Sequence, residues 1–111
     1  MTKIAIPLEN GHLCSHFGHC QQFAIVEIEN TNILNETRLT PPPHEPGLFP
    51  AWLAELGVTE IIAGGMGQRA ISLFNKQNIS VNVGAESKSP EELVTDWIKN
   101  TLVTGTNSCD H

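Results

Sequence analysis

Residues 12–20 read His12-Leu13-Cys14-Ser15-His16-Phe17-Gly18-His19-Cys20, which places five thiols and imidazoles within nine positions. Thiolate and neutral imidazole are the donors that zinc, copper and iron-sulfur species prefer, so a loop turning several of them inward would bind metal. The stretch contains no Cys-x-x-Cys pair, and the spacings of a zinc ribbon or a thioredoxin-like redox site are therefore absent. The plainer reading is a polar loop with surface histidines and two buried, inert cysteines, because free Cys behaves as a small hydrophobe.

Two other stretches bring the same donor types. His44 stands in Thr40-Pro41-Pro42-Pro43-His44-Glu45-Pro46-Gly47, where the prolines stiffen the chain and limit the positions the imidazole can reach. The chain closes on Cys109-Asp110-His111, a further thiol and imidazole on a polar tail. Taken alone, the first reads as a surface histidine and the second as a loose terminus. A fourth feature is Gly64-Gly65-Met66-Gly67, which leads from an apolar run into a helical pattern. Such a junction can bring backbone N–H groups and a helix N-terminus close to an anion. It lacks the Lys-Ser/Thr ending of a phosphate loop and the full dinucleotide fingerprint, so a tight turn needing positive φ is the simpler expectation. An anionic metal-sulfur cluster would use the same amides, with Met66 as either a soft contact or a core side chain.

The elements that must position these residues follow from hydrophobic periodicity. Residues 3–8 alternate, with Ile4, Ile6 and Leu8 on one side, and end at Glu9-Asn10-Gly11, a strand and turn. Residues 22–29 form a second strand, apolar on both faces at its start and so expected to be central. Asn30-Thr31-Asn32 turns into residues 33–39, whose Asn, Glu, Thr and Arg content marks a solvated edge strand. After the prolines, Leu48, Trp52, Leu53 and Leu56 fall at helical spacing, with Pro50 in the first turn and Gly57 at the C-terminal cap. Residues 59–64 read as a short strand, Ala70, Ile71 and Phe74 as one helical face, and Ile79, Val81 and Val83 as a last strand. Ser89-Pro90-Glu91-Glu92 is a helix start of the capping-box type, opening a helix with Leu93, Val94, Trp97, Ile98 and Leu102 on one face. The order β-β-β-α-β-α-β-α predicts an α/β fold with a mixed five-stranded sheet and helices on both faces, an order that ribonuclease-H-like folds share.

At 111 residues and 40% hydrophobic content, the chain can bury one core but not two, and residues 1–104 are expected to form a single domain followed by a flexible tail over 105–111. The formal charge is -6 and the six Lys and Arg residues are scattered, so no basic face is available to neutralise phosphates and nucleic acid is not expected as a partner. No run approaches the ~20 apolar residues that span a bilayer, and the first residues read as a strand rather than a signal peptide. A cytoplasmic location is the expectation, and there an odd set of three cysteines reads as thiols or ligands rather than disulfides.

The combination His16-Phe17-Gly18, Phe23 and its apolar strand, His44 ahead of Ala51 and Leu53, then Gly65-Met66-Gly67-Gln68-Arg69-Ala70 and Ile79-Ser80-Val81 resembles, in order and spacing, the dinitrogenase iron-molybdenum cofactor biosynthesis family. The resemblance spans nearly the whole chain and is closest to small single-domain members. It implies a ribonuclease-H-like three-layer fold and a non-enzymatic role in holding iron-molybdenum cofactor precursors or related metal-sulfur clusters for delivery between donor and acceptor proteins. By position it implies His16 and His44 as the cluster-facing residues, with Gly65, Met66 and Gly67 nearby. Cys14, His19, Cys20, Cys109 and His111 complete the candidate ligand set. The cysteines and the tail depart from the general family pattern, which leaves more direct ligation or a repurposed site open, and Asn78 replaces a glycine that many members carry before the last strand. A mononuclear site for zinc or another divalent ion is the alternative. Phosphoryl transfer on the same fold is the third reading, disfavoured because Asp96 and Asp110 are the only aspartates. The expected oligomeric state is monomer or weak dimer.

Overall fold

The computed structural model describes residues 2–14, 21–40, 48–85, 88–99 and 102. Strand β1 (Thr2–Glu9) is buried on both faces from Ile4 to Leu8, so it must lie inside a sheet covered on two sides. Asn10 and Gly11, both at positive φ, turn the chain back into a two-residue strand, β2 (His12–Leu13), which pairs antiparallel with the end of β1. β3 (Gln22–Glu29) runs antiparallel along the full length of β1, and β4 (Asn32–Leu39) returns antiparallel to β3 with a bulge opposite Glu27 and Ile28. Helix α1 (Leu48–Glu55), β5 (Glu60–Ile62), α2 (Gln68–Lys76), β6 (Ser80–Asn82) and α3 (Pro90–Ile98) follow.

The sheet has the order β4-β3-β1-β5-β6, with β1, β5 and β6 parallel and β2 beside the end of β1. Among the described residues it thus holds six strands rather than the expected five. The additional strand is two residues long, too short for alternation to show, and only the Asn10-Gly11 pair announces it. β3 is an inner strand, as expected, and β1 lies at the middle of the sheet, because the two crossovers add β5 and β6 on its far side.

Alternation divides the core. Ala5, Phe23, Ile25 and Ile61 face α1 and α2 and pack with Phe49, Leu53, Met66 and Phe74. Ile4, Ile6, Leu8, Ala24, Val26 and Ile62 face α3 and pack with Leu93 and Val94. Both groups are fully buried, which makes the architecture three-layered.

Each helix ends for a local reason. Gly57 at φ +87 follows α1, with its N–H donating to Ala54 O and that of Val58 to Leu53 O, the paired bonds of a Schellman cap. Asn78 at φ 61 takes the same place after α2, where its N–H reaches Asn75 O and that of Ile79 reaches Phe74 O. Asn tolerates this left-handed position, which accounts for the Gly-to-Asn exchange noted in the sequence. At the start of α3, the Ser89 hydroxyl accepts from Glu92 N–H at 3.3 Å, as the capping pattern predicts. At the amino end of β1, the Lys3 Nζ donates to Leu56 O at 2.9 Å and pins the far end of α1 there.

Candidate functional site

The parallel strands β1, β5 and β6 end at one rim of the sheet, and antiparallel β3 begins there. Phe23 pairs with Leu39, so β4 also ends at this rim. Cys14 and Gln21, which flank residues 15–20, therefore meet along it with the exit from β4, the entry to α1, the turn from β5 to α2 and the exit from β6. Open α/β sheets bind ligands at this end of their parallel strands.

Hydrogen bonds fix the flanks of the His-Cys segment. Cys14 N–H donates to Pro7 O at 2.9 Å on the near side, and Gln21 N–H donates to Leu8 O at 2.7 Å on the far side. The Gln21 side-chain carbonyl also accepts from Asn10 N–H at 3.1 Å, tying the far flank to the turn that opens the segment. Spacing gave no signal for Gln21, whose role is visible only in three dimensions. Pro7 explains how a proline sits in a central strand. Its carbonyl points toward β2, its nitrogen faces the same side, and β5 has already ended there, since β5 pairs only with Ile4 and Ala5.

Helix α1 is held at the rim by aromatic contacts. The Phe23 ring lies edge-to-face with Phe49 at 5.5 Å and against Trp52 at 5.7 Å. The stretch containing His44 thus leaves from beside Phe23 at Leu39 and rejoins the described chain beside Phe23 at α1.

The turn after β5 is locked to the turn after β6. Ala63 N–H donates to Asn82 O at 2.8 Å, Gly84 N–H to Gly64 O at 2.8 Å and Ala85 N–H to Ala63 O at 3.3 Å. Gly65 and Met66 are buried, and Met66 belongs to the core shared with Phe74, whereas Gly67, Gln68 and Arg69 are exposed. The expectation of a positive-φ turn does not hold here. Among the described residues the left-handed glycines are Gly11, Gly57 and Gly84, while Gly67 has φ -66 and ψ 153. Gly67 caps α2 without a side chain, and a Cβ built on it would meet nothing within 4 Å.

Of the candidate ligands, Cys14 is described and is 1% exposed. His12, near it in the sequence, is exposed and turns its ring back to Asn10 O at 3.3 Å. His16, His19, Cys20, His44, Cys109 and His111 lie outside the described residues. Among the described residues, no three His, Cys, Asp or Glu side chains are grouped to hold a metal ion, and no helix is long and apolar enough to cross a membrane.

Comparison with known proteins agrees with this architecture. An uncharacterized protein of Methanocaldococcus jannaschii is 36% identical over 107 residues, covering 92% of this chain and 90% of its own. The crystal structure of PH0822 superposes with a TM-score of 0.86 at 28% identity, over 93% of this chain and 94% of that one. The apo form of the orange protein from Desulfovibrio gigas shares the fold with a TM-score of 0.79 at 18% identity, over 96% and 95% of the two chains. The family model described as dinitrogenase iron-molybdenum cofactor matches residues 1–100, and the chain belongs to that family.

Proposed function

We propose that the protein is a non-catalytic carrier that takes an iron-molybdenum cofactor precursor, or a related metal-sulfur cluster, as cargo on the sheet rim. Gly67 is the observation that supports this reading most directly. Its φ and ψ suit any residue, and a Cβ built there would meet no atom of the described residues within 4 Å, so the backbone at the start of α2 is open to a body approaching from outside. A bulky body pressed against the backbone from outside would use that clearance. The first N–H groups of α2 point out of the helix at this place, and sulfide or molybdate oxygen carries the negative charge that such donors favour.

In this reading His16, His19 and Cys20 reach the cluster from between the Cys14 and Gln21 anchors. His44 reaches it from between β4 and α1, and Cys109 and His111 close over it from the tail that follows the single domain. Cys14, buried at the near flank of that segment, positions it or ligates the cluster. The sheet order, with β2 set aside, supports the ribonuclease-H-like classification. The carrier works in the cytoplasm between a cluster donor and an acceptor. Protons compete for imidazole and thiolate donors, so cluster occupancy falls in mild acid.

Anaerobic reconstitution with iron, sulfide and molybdate, followed by metal analysis and visible absorption, tests the proposal. A coloured, metal-loaded product is expected from the native chain, with occupancy lowered by His16→Ala or His44→Ala. Gly67→Ala is the sharper variant, because it should still fold, losing at most about 1 kcal/mol since Ala caps a helix less well than Gly, yet bind cluster more weakly. A colourless, metal-free native product would refute the carrier reading, and unchanged occupancy in Gly67→Ala would remove the α2 turn from the site.

A further inference from the structure

The edge strand β4 differs from the rest of the sheet. Every residue from Asn32 to Arg38 is exposed, and Ile33 and Leu34 are the large exposed hydrophobics among the described residues. The opposite edge, β6, offers only three residues. Edge strands present unpaired peptide groups, and a protein either blunts them or uses them.

The bulge opposite Glu27 and Ile28 disturbs the beginning of β4 but leaves residues 35–39 in regular register with β3. Within that regular stretch the sequence is Asn35-Glu36-Thr37-Arg38-Leu39, with opposite charges on the two sides of Thr37. Glu36 and Arg38 share the α3 face, since they lie across from Val26 and Ala24. They already attract one another along the strand, at 3.2 Å.

We propose that β4 is a homodimer surface, in which a second copy of this chain adds its own β4 antiparallel across a two-fold axis at Thr37. When two identical strands pair around such an axis, perpendicular to the sheet, paired residues lie on the same face. Registers are therefore restricted to steps of two residues. A step to either side would set Glu36 against its own copy or Arg38 against its own copy. The register centred on Thr37 sets Glu36 opposite Arg38 twice, exchanging each exposed intrastrand pair for a cross-strand one. The strand is thus self-complementary in charge about one residue, and this commits the edge to a second copy rather than to an unrelated strand.

The pairing doubles the six-stranded sheet and keeps all copies of α3 on one face. The axis reverses strand direction, so the two Gly67 rims lie at opposite ends of the dimer and both stay open. The proposal holds whether or not the rim carries a cluster, because none of its residues belongs to that site.

Sedimentation of the native chain across micromolar to millimolar loading should show a concentration-dependent dimer that weakens with added salt. Arg38→Glu leaves only acidic groups around Thr37 and Glu36→Arg only basic ones. Each variant should associate on the order of ten- to hundred-fold more weakly than the native chain. Both should keep the native circular dichroism and melting temperature, because both positions are exposed. An equimolar mixture of the two variants should restore a dimer, now exclusively hetero, in which an acidic side chain of one variant faces a basic side chain of the other on both sides of the axis. A native chain that stays monomeric at millimolar concentration would overturn the proposal. So would variants that dimerise as the native chain does, or a mixture that fails to associate.

Discussion

Replacing Phe23 with leucine tests what fastens α1 to the rim. The Phe23 ring is fully buried and meets Phe49 and Trp52 edge-to-face at 5.5 and 5.7 Å. Leucine keeps most of the apolar burial but has no ring edge or face to offer. Aromatic pairs of this geometry contribute about 0.5–1.5 kcal/mol each beyond their area. Losing two of them, with a small volume change, should cost about 2 kcal/mol, well short of the ~3–5 kcal/mol expected for alanine. In a domain of this size that loss lowers the melting temperature by roughly 8–16 °C. Urea unfolding followed by tryptophan fluorescence measures it directly, since Trp52 touches the altered ring. The midpoint should fall while the slope stays constant. A double-mutant cycle with Phe49→Leu should return a coupling of about 0.5–1.5 kcal/mol. A Phe23→Leu cost below about 0.5 kcal/mol, or a coupling indistinguishable from zero, would show that ring contacts do not hold the start of α1.

Two further predictions bear on other parts of the frame. Ser89→Ala removes the cap on α3 and should cost about 1 kcal/mol in the same urea assay, whereas Ser89→Gly should cost only a few tenths; equal and negligible losses in both would deny the cap a role. The Glu60 carboxyl is raised above the ordinary carboxylate value, first by desolvation and then against the lowering effect of the Asn82 amide that donates to it at 3.3 Å. A raised acid binds more protons folded than unfolded, so its contribution to stability falls as pH rises through the interval above the ordinary carboxylate pKa. Glu60→Gln keeps an acceptor for Asn82 and should therefore stabilise the protein at neutral pH, with the advantage vanishing in acid; an advantage that grows toward low pH would contradict this sign.

How much of this was legible in the sequence depends on the scale of the signal. Long amphipathic elements were readable, because Leu93, Val94 and Trp97 repeat at helical spacing and Ser89-Pro90 marks a start that the structure keeps. The solvated character of β4 was readable from its polar content, and its exposure agrees. The two-residue β2 was not, since pairing over Leu8–Leu13 and Glu9–His12 leaves no period to detect. That Gly84 rather than Gly67 takes the left-handed conformation was equally hidden. Sequence shows that a glycine is present, but which glycine takes positive φ depends on hydrogen bonds such as Gly84 N–H to Gly64 O. Gln21 illustrates the same limit, for its bond to Asn10 spans a segment whose fold no local pattern encodes.

The candidate site divides along the same line. Donor type is written in the sequence, because only certain side chains ligate soft metals, but convergence depends on topology. Here topology does the assembling with few residues. The antiparallel return of β3 and β4 brings both flanks of the His44 stretch beside Phe23. The hairpin at Asn10-Gly11 sets both flanks of the His16 stretch on the last residues of β1. The parallel crossovers set Gly64 and Gly84 against one another at the same level. These placements rest on strand pairing and backbone hydrogen bonds rather than on the candidate ligand side chains. The proposed carrier role is served by such a frame. A site whose walls are fixed by sheet pairing can release its cluster to an acceptor without unfolding, whereas one folded by its metal would have to come apart to let go.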